Sequence, residues 1–199
     1  LVHRYRSLMS PSTLLYIILG ISIISYLFDQ ALDYLNLTAQ RKDIPAEVAE
    51  FYDQQKYLKS LDYHREQTNF GFLTAAFGFV LSLLMLLFGG FGMLDQLLRN
   101  YLQNDISLAL VFFGIVVFIS DLLTLPFKLH STFVIEEKYG FNKTTVKTFI
   151  TDKLKGYVLG AIIGGVLIAV LIMLIQKIGP NFWIWFGTIA ALFMLLVNM

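Results

Sequence analysis

The chain has no cysteine in its 199 residues. That removes disulfides, thiolate nucleophiles and every cysteine-ligated metal site. Charge is also scarce. Asp, Glu, Lys and Arg make up 15% of the residues and the formal net charge is +1, whereas a typical soluble domain is about 25% charged. Without a concentrated basic field the composition argues against nucleic acid as a partner. Histidine occurs three times, at His3, His64 and His130. None begins the H-E-x-x-H pattern of a zinc protease, and no phosphate-binding loop, G-x-S-x-G elbow or dinucleotide fingerprint is present. His130 with Glu136 and Glu137 would make only an incomplete metal site. Each histidine therefore reads as an interfacial side chain, and no cofactor is expected in this chain.

Apolar residues are what the sequence has in abundance, at 57% of the total, and they fall in long runs. A bilayer core about 30 Å thick needs roughly 20 apolar residues in a helix. Five runs qualify, at about residues 12–28, 70–88, 106–125, 156–175 and 182–199. Pro11 behind Ser10 marks a helix start. Gly89-Gly90, Pro126 and Gly179-Pro180 mark ends. The first run is too long, and lacks the small-residue cleavage site, to be a secretory signal. The fold class expected is an all-α integral membrane protein, a polytopic bundle of five transmembrane helices with a cytoplasmic amphipathic helix and a Lys-rich loop. Its first partner is the lipid bilayer. The fifth run is still apolar at Val197 and has no flanking charge, which points to a longer protein continuing past Met199. Residues 1–8 read as a tail ahead of a candidate initiator, Met9, and residues 9–199 as the membrane domain.

The 15 Lys and Arg orient the spans. Four (Arg4, Arg6, Arg99 and Lys177) share one side with the amino terminus. The other eleven lie in the loops at about 38–69 and 126–155. By the positive-inside rule both long loops are cytoplasmic and the amino terminus is outside. In the first loop, Ile44-Pro45 with Glu47 and Glu50 starts an amphipathic helix carrying Val48, Phe51, Tyr52, Leu58 and Leu61. It either lies on headgroups or walls a cavity, and it runs toward the second span. In the second loop, Thr132 to Ile135 has the composition of a short strand or extended segment, and Tyr139 to Asn142 that of a turn. Thr145 is placed to cap a helix from Val146. The six lysines there are either an anchor for acidic lipid or substrate contacts.

Three carboxylates lie close to the apolar runs, where charge is costly. Asp29 and Asp33 share a helical face at the cytoplasmic end of the first span, and Asp121 lies near that end of the third. They are either paired with Lys128, Arg41 or backbone donors, or they line a polar cavity. Gly156, Gly160 and Gly164 form a small-residue ridge for close helix packing, with the neighbour left open.

The segment Leu125-Pro126-Phe127, then Ser131-Thr132-Phe133-Val134-Ile135-Glu136-Glu137-Lys138 with Gly140-Phe141-Asn142-Lys143, resembles the signature of the CAAX prenyl protease 1 family. Tyr57 to Arg65, Leu87 to Gly90 and Asp152 to Lys155 extend the resemblance. It runs from Met9 onward and covers only the family's amino-terminal region of five membrane helices. The family comprises integral-membrane zinc metalloproteases that cut after a prenylated cysteine, with many bacterial relatives. The resemblance implies that Pro126, Phe133, Glu136, Glu137, Lys138, Gly140, Phe141 and Asn142 form a family signature loop. It further implies that Asp29, Asp33 and Asp121 lie near the cytoplasmic end of an intramembrane chamber. No zinc ligand or catalytic Glu has a counterpart here. Zinc, the catalytic carboxy-terminal region and a peptide or lipidated-peptide substrate are then expected of the full-length protein, in a bacterial inner membrane. A stand-alone membrane scaffold or binding protein is the alternative, and a small transporter the third. The orientation makes a prediction. A membrane-impermeant maleimide applied from outside should label Gln103→Cys and leave Lys143→Cys unlabelled, and the opposite pattern would invert the topology.

Overall fold

Hydrocarbon offers no hydrogen bonds, so a crossing segment must pair its own N–H and C=O groups. The computed structural model describes residues 10–40, 43–44 and 53–197, and among them every regular element is a helix. In chain order these are α1 (Pro11–Thr38), α2 (Gln54–Leu87), α3 (Gly90–Arg99), α4 (Asp105–His130), a π-helical turn (Ser131–Glu136), α5 (Glu137–Tyr139), α6 (Val146–Ile178), a 3-10 turn (Gly179–Asn181) and α7 (Phe182–Val197).

Local chemistry sets most of the boundaries. Ser10 caps α1, its Oγ accepting from the Thr13 N–H, with Pro11 in the first turn. Asp53 caps α2 through Gln55 and Lys56. Thr145 caps α6 by accepting from Thr148 N–H. Gly89, Gly140 and Gly179 have positive φ, at 66°, 71° and 69°. Each stands just beyond a helix, where a side chain would meet the left-handed steric penalty.

Two units divide the chain. One takes residues up to Phe91 together with Thr124–Lys143, and its described part packs α1 on α2 and α2 on the π-helical turn. Tyr26 stacks on Phe79 there, with ring centres 4.0 Å apart. The other unit takes Gly92–Leu123 and Thr144–Met199, in which α6, the 3-10 turn and α7 pack in succession. Few side chains are enclosed. Among the described residues only Leu19, Leu98, Leu108 and Ile135 are buried apolar groups, and Ile135 alone is nearly sealed at 1% exposed. Leucine, isoleucine and phenylalanine cover the outside of the long helices, as they should where lipid tails are as apolar as they are.

Several expectations change. α1 continues ten residues past Phe28, so Asp29 and Asp33 are helical and exposed. The helix expected from Pro45 falls partly on residues 45–52, which lie outside the described residues; from Gln54 a single helix runs to Leu87. Pro126 does not end the third helix: it sits inside α4, which reaches His130. The proline leaves one carbonyl without its usual donor, yet the helix carries on around it. Thr132 to Ile135 is not extended but π-helical. Its β-branched composition is overridden because this turn packs on α2 and buries Ile135. α3 was not anticipated. Replacing Gly140 with Ala should cost roughly 1 kcal/mol through its left-handed backbone, read as a lower Tm in detergent. Gly160→Ala, at a helical site where a Cβ would meet nothing within 4 Å, should not lower it.

Candidate functional site

On the polar end of α2, Tyr63, Glu66, Gln67 and Phe70 recur at helical spacing and share one face. That face holds the signature loop. Glu66 Oε2 accepts from Lys138 Nζ at 2.6 Å and from Tyr139 Oη at 2.7 Å. At the next residue, Gln67 Nε2 donates to Ser131 Oγ at 2.8 Å, while Gln67 Oε1 is enclosed without a partner among the described residues. The Tyr63 ring meets Tyr139 edge-on at 5.5 Å and Phe141 at 4.7 Å. Toward the membrane, Phe70 lies 4.6 Å from the His130 ring, and Phe77 lies 4.9 Å from Phe127, next to Pro126. Aromatic contacts and charge-assisted hydrogen bonds thus alternate along one face.

The loop also closes on itself. The Gly140 N–H donates to the Glu137 carbonyl at 3.0 Å, and the Phe141 N–H to the Glu136 carbonyl at 2.9 Å. Asn142 Nδ2 reaches Glu137 Oε2 at 3.0 Å. Glu136 therefore contributes its backbone, Glu137 its carboxylate, Gly140 its φ, and Lys138 its ammonium. Phe133 sits half-buried in the π-helical turn. His64 Nδ1 is hydrogen-bonded to Gln40 Nε2 at 2.8 Å.

The second unit has its own clasp. Asp121 Oδ2 accepts from Lys153 Nζ and Tyr157 Oη, and the two ion-paired side chains are only 16% and 20% exposed, the carboxylate first. At the far end of the same helices, Gln176 Nε2 donates to Asp105 Oδ2 at 3.0 Å. These two links make α4 and α6 antiparallel. Between the links a groove of about 940 Å³ opens, lined by Gly114, Val117 and Phe118 of α4 and by Gly156, Gly160 and Gly164 of α6. A Cβ at any of those three α6 glycines would touch nothing within 4 Å, whereas one at Gly165 would meet Leu110 Cδ2 at 3.7 Å. Among the described residues, the glycine ridge faces open space and no helix seats on it.

The three carboxylates singled out from sequence separate accordingly. Asp29 and Asp33 are exposed on α1 in the first unit, and Asp121 is engaged inside the second. Sequence reading missed the partners Lys153 and Tyr157, although their i, i+4 spacing puts both on one helical face. It also missed Glu66, a lone acid one turn before an apolar run. Among the described residues, no three His, Asp or Glu side chains are grouped to hold a metal. The described residues by themselves offer no zinc centre.

Long apolar helices, polar clasps at their ends and outward-facing leucine and isoleucine define a polytopic α-helical integral membrane protein. A family profile described as "CAAX prenyl protease N-terminal, five membrane helices" matches residues 33–199, and the chain belongs to that family. It is 37% identical over 181 residues to "Probable CAAX prenyl protease 1" of Schizosaccharomyces pombe, covering 83% of this chain and 38% of that protein. It is 33% identical over 171 residues to "CAAX prenyl protease 1 homolog" of Arabidopsis thaliana, covering 82% and 40%. The crystal structure of S. mikatae Ste24p superposes with a TM-score of 0.79 at 26% identity, over 95% of this chain and 45% of that one. The chain thus spans less than half the length of these relatives and corresponds to the membrane-embedded amino-terminal region of a CAAX prenyl protease.

The Asp121 clasp can be tested directly. Asp121→Leu strands a largely covered ammonium and should cost roughly 1–3 kcal/mol, measured by thermal unfolding in detergent. Adding Lys153→Met should recover part of that loss, because an apolar pair removes the stranded charge.

Proposed function

We propose that this chain is the membrane half of a zinc metalloendopeptidase of the CAAX prenyl protease type. It builds part of the intramembrane chamber that receives a peptide or lipidated-peptide substrate. The observation that carries the reading is the extent of the match to the family profile, which covers residues 33–199. The sequence contains no H-E-x-x-H, so the zinc ligands and the catalytic glutamate belong to a carboxy-terminal region of the longer protein. Zinc there supplies Lewis-acid activation of water.

In this reading the residues of the chain hold and position. The signature loop from Pro126 to Asn142 is fixed on α2 through Glu66, which gives the cytoplasmic face a rigid platform. Asp29 and Asp33, exposed on α1, line the cytoplasmic end of the chamber. Asp121 braces its wall through Lys153 and Tyr157. The amino terminus lies outside, and the loops at about 38–69 and 126–155 are cytoplasmic. Placement in a bacterial inner membrane is part of the proposal and rests on the sequence reading alone; the relatives named above are a yeast, a plant and a second yeast.

Metal analysis tests the division of labour. The purified 199-residue chain should carry far less than one zinc per molecule and should cleave no prenylated peptide. The longer protein should bind zinc stoichiometrically. Stoichiometric zinc on the 199-residue chain would overturn the proposal.

A further inference from the structure

Among the described residues, α3 (Gly90–Arg99) is the one strongly amphipathic helix. Asp95, Gln96 and Arg99 occupy one side, and Arg99 Nε donates to Asp95 Oδ2 at 2.8 Å. Phe91, Met93, Leu94, Leu97 and Leu98 occupy the other. The apolar side is itself divided. Leu98 is buried, whereas Met93 and Leu97, one turn apart, are 69% and 55% exposed, and Tyr101 just beyond is 78% exposed.

The chain fixes the depth of this helix. Only Phe88 and Gly89, the latter with a φ of 66°, separate the end of α2 at Leu87 from the start of α3. At its other end, residues 100–104 lead into α4, where Asn104 Oδ1 accepts from the Ile106 and Ser107 N–H groups and caps the next span. A ten-residue helix is about 15 Å long, so both its ends stay at the membrane face where α2 exits and α4 enters. Its bare apolar strip, Met93 and Leu97, is then presented at that face. A polar side, an apolar side and a flanking tyrosine are what the headgroup boundary selects.

We propose that α3 is an interfacial anchor whose ligand is the phospholipid surface, with Met93 and Leu97 at the acyl-chain boundary, Tyr101 at headgroup level, and Asp95, Gln96 and Arg99 toward water. It fixes the height of the α2–α4 connection in the bilayer. This does not depend on the protease reading.

The absence of cysteine makes each introduced thiol unique. Met93→Cys, Leu97→Cys and Gln96→Cys are spin-labelled separately, and the chain is reconstituted in phosphatidylcholine vesicles. Power saturation then compares collisions with oxygen, which concentrates in lipid, and with a water-soluble nickel chelate. The oxygen-to-nickel ratio should be severalfold higher at positions 93 and 97 than at 96. Equal ratios would place the strip in water and overturn the proposal. Shielding of 93 and 97 from both reagents would place it against protein and overturn it equally. If a label disturbs folding, Leu97→Trp is introduced into a Trp183→Phe, Trp185→Phe background instead. Lipids brominated near the headgroup end of the acyl chain should then quench its fluorescence more than lipids brominated near the terminal methyl. The reverse order would refute the placement.

Discussion

A peptide group in hydrocarbon has no solvent to bond with, and that constraint governs the long apolar helices of this chain. It explains why segments of different composition come out alike. Beyond the apolar run the reason is different: Thr132 to Ile135 is β-branched and aromatic, yet it stays helical as a π turn because it packs on α2 and buries Ile135. Pro126 is absorbed inside α4, where its missing N–H removes one backbone hydrogen bond without ending the helix. The constraint also explains how little side-chain burial the fold needs. Its helices are secured less by an enclosed apolar core than by internal backbone bonding and by polar contacts at their ends.

Those polar contacts repeat one design. In the first unit a single carboxylate, Glu66, accepts from a lysine and a tyrosine, Lys138 and Tyr139. In the second, Asp121 accepts from Lys153 and Tyr157. A carboxylate with one cationic and one phenolic donor has its charge balanced and one oxygen doubly bonded, which suits the edge of a low-dielectric region. The two sites differ in how the donors are presented. Lys138 and Tyr139 are adjacent in a short helix after a π turn, whereas Lys153 and Tyr157 are one turn apart on a long one. Exposure differs as well. The Lys138 ammonium is largely open to solvent while Lys153 is covered, so the second clasp carries more structural consequence than the first.

Some of this was legible in the sequence. The apolar runs fall largely on long helices, and Ser10, Thr145 and the Tyr139–Asn142 turn act through chemistry that is local and short-range. The family assignment followed from contiguous residues of the signature loop. What escaped reading was non-local or balanced between signals. Glu66 and Lys138 lie 72 positions apart, and no local pattern pairs them. α3 was hidden because its glycines suggested only a turn, while its apolar residues were too few for a span. The glycines of α6 have the spacing of a packing ridge, but spacing cannot say whether a neighbour is present, and here the described structure leaves them facing a groove.

The connection between α6 and α7 has a consequence for biosynthesis. Gly179, Pro180 and Asn181 alone separate the two helices, and three residues reach at most about 10 Å, far short of a bilayer core of roughly 30 Å. Once the end of α6 arrives at the far face, the start of α7 is drawn there with it, and the two must partition from the insertion machinery as one helical hairpin. Lys177 is the single charged side chain at that tip, so little charge opposes the joint insertion of the pair.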